Sequence, residues 1–308
     1  MTLPPYISWL GHGTTNGAPP GVFRDVTSYA FILDASRQAM QGLVDTLLTP
    51  ATQPGKVVYR VPVGATMVSV LDAARCCSGP EPIGWLPGRE WAVWVPLVEE
   101  HPHHPLSTRL VLWSPYIFIN YDIGLVTGRE VWGWPKAMGS IAVEPAAQPA
   151  RFACTTTIFR RFAPDAQGET AELMAMTGTK PITPGPGDAW ELASALFGAL
   201  AGDLIKLLHL KPVIPAIALK QFRDSADATR ACYQAIVNSP CRVTAMRGAQ
   251  VLDDRFTLSV TGCDSHRIMQ DIFGVEPTAP VSTRPVRMAA KMHFDFEADP
   301  GSAIVPSP

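Results

Sequence analysis

One lysine stands out for the company it keeps. In the run from Asn120 to Lys136, Trp132, Trp134 and Pro135 stand close before Lys136. Lysine is normally solvated, and a rigid, poorly hydrated setting of two indoles and a proline works against the ammonium form. A neutral amine then becomes available near neutral pH. Such an amine attacks a ketone, and the resulting iminium is an electron sink. A surface lysine whose stem runs past the tryptophans is the alternative that these residues alone leave open.

The densest polar cluster is Glu99-Glu100-His101-Pro102-His103-His104. Two histidines two apart on an extended strand share a face, and with a carboxylate they can ligate a metal. The prolines around them favour a solvated loop, and no third ligand can be placed, so no metal is expected. The chain has no G-x-G-x-x-G, P-loop, G-x-S-x-G or H-E-x-x-H, so dinucleotide, phosphoryl-transfer, serine-hydrolase and zincin chemistry lack their usual anchors.

The elements that must position these residues read mostly as strands. After an irregular Gly/Pro/Thr-rich arm (1–20), Phe31 to Asp34 predicts a short strand, and Ser36 caps a helix carrying Met40, Leu43, Val44 and Leu47. Strand patterns then follow within Lys56 to Leu71, Trp91 to Val98, Leu110 to Ile119, Ser140 to Val143 and Arg151 to Phe159. A long helix is expected at 188–210, weakened by Gly198 and Gly202. Beyond it, Val213 to Leu219, Ala231 to Val237, Arg242 to Met246, Phe256 to Val260 and Val286 to Phe296 read as strands. Many strands, about two clear helices and no βαβ alternation predict an α+β, mostly antiparallel domain whose sheet curls toward a barrel. The expected organisation is the arm, a single domain over 21–298 with the helical insertion near 188–210, and a flexible tail at 299–308. Gly-Arg-Glu occurs twice, at Gly88 to Glu90 and Gly128 to Glu130, but the flanks do not repeat, so no duplication is inferred.

Bulk properties narrow the classes. The 308 residues are 47% apolar and 17% charged, a globular composition. A net charge of −2 and the absence of a basic cluster give no reason to expect nucleic acid or an anionic membrane as partner. Thirty prolines, roughly double the average usage, suit a chain of short strands and corners. The six cysteines show no C-x-x-C spacing and read as reduced thiols of a cytoplasmic protein. No basic and apolar leader pattern opens the chain, and Leu192 to Gly202 is too short to span a bilayer, so a soluble protein is expected.

A resemblance now sharpens the lysine. Gly128 to Lys136 has the form Gly-Arg-Glu-x-x-Gly-x-Pro-Lys and resembles the active-site signature of the acetoacetate decarboxylase superfamily, whose Schiff-base lysine follows the proline. Leu219 to Asp224 with Cys232 to Ala235 is similar to later strands of many members, and Met67 to Gly79 to the strand and turn before the family's catalytic glutamate. The resemblance implies a curled-sheet fold of that type, a homo-oligomer, no cofactor, and a small oxo or keto acid as substrate. It places Lys136 as the nucleophile and a glutamate a little over thirty residues before the motif, at Glu99 or Glu100, as acid/base; Tyr233 is a further proton-transfer candidate. Arg24, Arg129, Trp132, Trp134 and Gln221 are the substrate-binding candidates. Arg129 and Glu130 match the motif's charged pair, expected to fix the turn. The departure is Ala137, where the family's decarboxylases carry a second lysine that activates the first by like-charge repulsion. Aldolase-dehydratase chemistry through the enamine is therefore the leading expectation, decarboxylation through the same iminium the second, and a non-catalytic binding relative the third.

Overall fold

In the segment Gly21–Asp34 (β1), Tyr29, Phe31 and Leu33 face one way and Ser28, Ala30 and Ile32 the other, and all six are buried. Strands so buried on both faces must lie between two packed layers. That is how the computed structural model of this chain is built; it describes residues 5–8, 11, 16–52, 56–81, 83–103, 107–183 and 213–305. The helix expected at 188–210 lies outside the described residues.

After β1 come α1 (Arg37–Leu47), β2 (Val58–Arg60), β3 (Ala65–Ser78), β4 (Leu86–Glu100) and β5 (Arg109–Ile119). Next are α2 (Asp122–Thr127), β6 (Lys136–Met138), β7 (Ser140–Glu144), β8 (Arg151–Ile158) and β9 (Glu169–Thr177). The chain continues through β10 (Val213–Ile214), β11 (Ala216–Arg223), β12 (Ala231–Asn238), β13 (Cys241–Val251) and β14 (Thr257–Thr261). It ends with α3 (Ile268–Phe273), β15 (Val281–Pro285), β16 (Met288–Ala298) and β17 (Ser302–Val305).

The main sheet runs β10-β13-β16-β1-β3-β4-β5-β11-β12-β17, with β2 on β4 and β6 on β5; a second sheet runs β15-β14-β9-β8-β7. Nearly all pairs are antiparallel; β5 with β6 and β5 with β11 are parallel. The main sheet curls round on itself. One extended segment, interrupted only at Pro215, pairs with β13 at Val213 and Ile214 and with β5 from Ala216 onward. It thereby ties one end of the path to the other, and β12 and β17 lie beyond this closure.

The two faces of the curled sheet have different tasks. Its outer face packs against the second sheet, α1 and α3 in one large core that includes Phe31, Trp91, Phe152, Met174 and Ile272. Its inner face lines a lumen. Ser36 caps α1 by accepting from Ala39 N, as the sequence pattern predicts. Within the stretch expected as a flexible tail, Ser302–Val305 forms β17 and pairs with β12 through Ser302↔Asn238 and its neighbours. Among the described residues no helix is long and apolar enough to cross a membrane.

Candidate active site

The local backbone around Lys136 explains why a glycine opens its motif. Gly128–Trp132 forms a single π-helical turn, a wide turn often found at functional sites. The Gly128 carbonyl accepts from the amides of both Gly133 and Trp134. A side chain at Gly128 would place its Cβ 2.5 Å from Lys136 Cδ, so only glycine lets the lysine stem run across the turn. Gly133 sits at φ +82°, and a Cβ there would meet the Lys220 backbone at 2.5 Å. This left-handed residue ends the turn and aims the chain into β6. The Arg129 guanidinium then holds the Lys136 carbonyl at 2.9 Å.

Strand register delivers a carboxylate to the amine. Lys136 lies beside Ile117 on β5, and Glu90 on β4 lies opposite Ile119, two residues on and therefore on the same face. Lys136 Nζ and Glu90 Oε2 meet at 2.8 Å, with the side chains only 12% and 22% exposed. Both line a cavity of about 180 Å³ that fills the lumen. Its walls are mainly apolar and include Phe23, Trp94, Trp132, Trp134, Phe294 and Phe296. Trp94 and Trp134 pack edge to face at 5.8 Å, and Trp132 Nε1 donates to the Asp299 carbonyl at 3.0 Å. A side chamber of about 60 Å³ adjoins the lumen and shares Phe23, Cys76, Tyr121, Trp132 and Lys136 with it. The amine sits where the two meet.

Three further ionisable groups of the cavity lining are raised by burial. Burial pushes the Cys76 thiol up to about 12 and the Cys241 thiol to about 12. Tyr121 is raised well above its ordinary value, first by burial and then by the charge of Glu90 and its contact with Cys76. Its ring is clamped: a Cβ at Gly88 or at Gly124 would collide with it.

Of the residues singled out in the sequence, the structure brings Lys136, Trp132 and Trp134 together in the cavity. It places the others elsewhere, each for a physical reason. Glu99 lies nine residues beyond Glu90, an odd number, and so faces the opposite side of β4. There it is 1% exposed, bound to Arg109 at 2.7 Å, His101 at 3.0 Å and Tyr59 at 3.2 Å. Glu100 shares Glu90's face but is ten residues further, roughly 33 Å along the strand, and pairs with Arg60 in solvent. The carboxylate at the amine is Glu90.

Arg24 is displaced by a bulge. Phe23 pairs with Phe296 and Val26 with Phe294, three residues against two, so Phe23 and Val26 both face inward and Arg24 and Asp25 stay outside. Asp25 takes φ 52°, and Arg24 pairs with Glu297 at 2.9 Å. Tyr233 lies on β12, beyond the closure, with its ring tilted against that of Phe222. Gln221 is on the outward parity of β11, accepting from Gln234 at 2.9 Å. Arg129 and Glu130 do not pair: the arginine holds the Lys136 carbonyl, and Glu130 accepts from Asn16. Ala137 points away from the amine and packs on the core between the sheets, as its alternation with Lys136 requires. Among the described residues no cluster of three or more histidine, cysteine or acidic side chains could hold a metal.

No protein-family model and no curated protein matches this chain. Solved structures do. An acetoacetate decarboxylase from Legionella pneumophila superposes with a TM-score of 0.61 at 10% identity, over 99% of both chains. The enduracididine biosynthesis enzyme MppR complexed with pyruvate gives 0.54 at 12% identity, over 96% of this chain and 94% of that one. MppR with the condensation product of pyruvate and imidazole 4-carboxaldehyde gives 0.50 at 13%, over 96% and 93%. At these identities the likeness establishes the fold, which is of the acetoacetate decarboxylase type across nearly the whole chain.

Proposed function

We propose that this protein is an enzyme that binds a carbonyl substrate covalently, as a Schiff base on Lys136, with Glu90 moving the protons. The observation that carries the reading is the 2.8 Å contact between Lys136 Nζ and Glu90 Oε2 inside an apolar cavity. Its support from the comparisons is that the same fold carries an acetoacetate decarboxylase and a pyruvate-binding enzyme.

The geometry gives each proton a route. Glu90 takes one from the ammonium, and the freed amine forms a bond to the carbonyl carbon. After proton transfer within the adduct, Glu90 returns its proton to the new hydroxyl, which leaves as water. One ammonium and one carbonyl thus give one iminium and one water, and Glu90 ends as a carboxylate. On a small oxo acid the same carboxylate then removes a proton from the carbon beside the iminium. The enamine adds to an aldehyde, the adduct loses water, and hydrolysis of the iminium then releases the product and restores the Lys136 amine, completing an aldolase-dehydratase cycle. Tyr121 lines the junction of the two chambers beside Lys136 and would serve as the donor to the oxygen that leaves.

A second reading, decarboxylation of a β-oxo acid, draws on another observation. Among the described residues no guanidinium is aimed into the lumen: Arg24 pairs with Glu297, and Arg89 turns outward to Asp72 and the Ile141 carbonyl. A substrate carboxylate among apolar walls is favoured to depart, with the iminium accepting its electrons.

Borohydride reduction in the presence of pyruvate or acetoacetate tests the shared intermediate. The expected result is a mass increase that Lys136→Ala abolishes; no adduct with either acid counts against both readings. Ultraviolet absorbance from pyruvate plus an aldehyde, set against carbon dioxide release from acetoacetate, separates the two.

A further inference from the structure

Resting on the Schiff-base reading, we infer that the substrate held at Lys136 carries an apolar body at least the size of a benzene ring, beyond the short chains of pyruvate and acetoacetate. Volume is the first ground. The lumen encloses about 180 Å³, whereas about 150 Å³ of dry apolar cavity already admits benzene.

Shape is the second. The cavity continues from Glu90 past Trp94, four residues and roughly 13 Å along β4, and reaches Met67 and Ala30. This depth lies beyond the reacting carbon and past the reach of a three- or four-carbon acid. It stays open because Ala30, Ala216 and Ala298 stand on the inner faces of three strands where larger side chains would fill it. The wall also carries the aromatic rings of Phe23, Trp94 and Trp134, the two indoles packed edge to face.

Polarity is the third. Among the described residues the charged side chains directed into the space are Lys136 and Glu90, which pair with each other, while Arg89 borders it with its guanidinium held by Asp72 and the Ile141 carbonyl. Cys76, Cys241 and Tyr121 are held neutral. The Ser69 hydroxyl accepts from Trp94 Nε1 at 2.8 Å, which ties it into the wall. Among the described residues the deep part has no cation placed to pair with a phosphate, and its only side-chain hydroxyls are those of Ser28 and Ser69. A phosphorylated or sugar-like substrate would leave its polar groups unmatched there. An aryl or branched-alkyl oxo acid would bury its body at no such cost.

The test uses the full-length protein and borohydride trapping across four acids: pyruvate, acetoacetate, 4-phenyl-2-oxobutanoate and benzoylacetate. One buried methylene alone is worth roughly tenfold in discrimination, so the two aryl acids should reach half-maximal trapping at concentrations at least tenfold lower than the two small ones. Equal or better trapping of the small acids would overturn the inference and leave the Schiff-base reading intact. A second measurement separates the two ideas: thermal unfolding with 4-phenylbutanoate against butanoate, neither of which has a ketone. Stabilisation by the aryl acid alone supports the apolar chamber whatever Lys136 does, and equal shifts would count against it. No adduct with any of the four acids would instead sink the reading on which the inference rests.

Discussion

The chain contains the tripeptide Gly-Arg-Glu twice, and the two copies do opposite things with the same side chains. At Gly88 to Glu90 the triplet lies in a strand, and its glutamate turns inward to meet Lys136 Nζ. At Gly128 to Glu130 it lies in a π-helical turn, and its glutamate turns outward to Asn16. The glycines differ as well. Gly88 makes room for the clamped Tyr121 ring, and Gly128 for the Lys136 stem. Only the arginines agree, each fixing a neighbouring backbone carbonyl, at Ile141 and at Lys136. The triplet that resembles a catalytic signature therefore builds the lysine's seat, and the copy without a recognised motif around it supplies the carboxylate.

The largest expected effect breaks that contrast directly. Glu90→Gln keeps the shape but cannot carry the proton, and the rate of turnover or adduct formation should fall about 10²- to 10⁴-fold. Glu130→Gln, on the surface, should stay within roughly twofold. Comparable losses for both would dissolve the distinction. A third carboxylate sharpens it: Glu99→Ala strips the partner from Arg109 and Tyr59 and should destabilise the fold by about 2–3 kcal/mol in urea unfolding. This is the low end for a broken buried pair, because Arg109 is partly solvated. The folded fraction should retain its rate of adduct formation.

The two glycines should part company in a similar way. Gly88→Ala forces a Cβ into a ring that Gly124 already confines from another side, so it should cost about 1–3 kcal/mol in stability. Gly128→Ala meets only the flexible stem of Lys136. It should leave the melting temperature nearly unchanged while slowing adduct formation, because the amine is pushed off Glu90.

A further contrast concerns the neutral thiols of the cavity. Cys76 and Cys241 are both pushed up from 9.0 to about 12 by burial. Below pH 9 they hold their protons folded or unfolded and contribute no pH dependence. Above it the unfolded chain releases protons that the folded protein keeps, so stability falls as pH rises from 9 toward 12, by about 1.4 kcal/mol per pH unit for each thiol. Denaturant titrations between pH 8.5 and 10.5 should show this decline, and Cys76→Ala should make it shallower. An unchanged slope in the variant would mean that Cys76 is not the buried thiol described here.

Much of the fold was legible because strands buried on both faces appear as apolar runs rich in β-branched and aromatic residues: Trp91 to Val98 and Leu110 to Ile119 fall within β4 and β5. Others were hidden. The first half of β1 carries Arg24, Asp25, Thr27 and Ser28, polar residues that a bulge and a lumen accommodate, so only its apolar end at Phe31 to Asp34 read as a strand. β9 is rich in Ala, Glu and Met, which favour helices, and only its pairing with β8 and β14 makes it a strand. Lys136 was visible through its tryptophans and its motif. Glu90 was not, although its triplet was noticed, because strand parity and register across β5 decide which carboxylate reaches the amine. A sequence count cannot supply that register. Ala137 likewise looked like a missing activator, yet strand alternation sends residue 137 to the other face, where a second lysine would enter the core.

Two lysines compete for the central role. Lys220 is half-buried between Phe222 and Tyr233, with its basicity lowered by burial, and donates to the Val131 carbonyl at 3.3 Å. Peptide mapping of the borohydride-reduced protein, formed with whichever oxo acid traps best, decides between them. The account predicts a single modified site at Lys136 in the wild type, formed far more slowly in Glu90→Gln. An adduct on Lys220, or on Lys136 at a rate indifferent to Glu90, would contradict it.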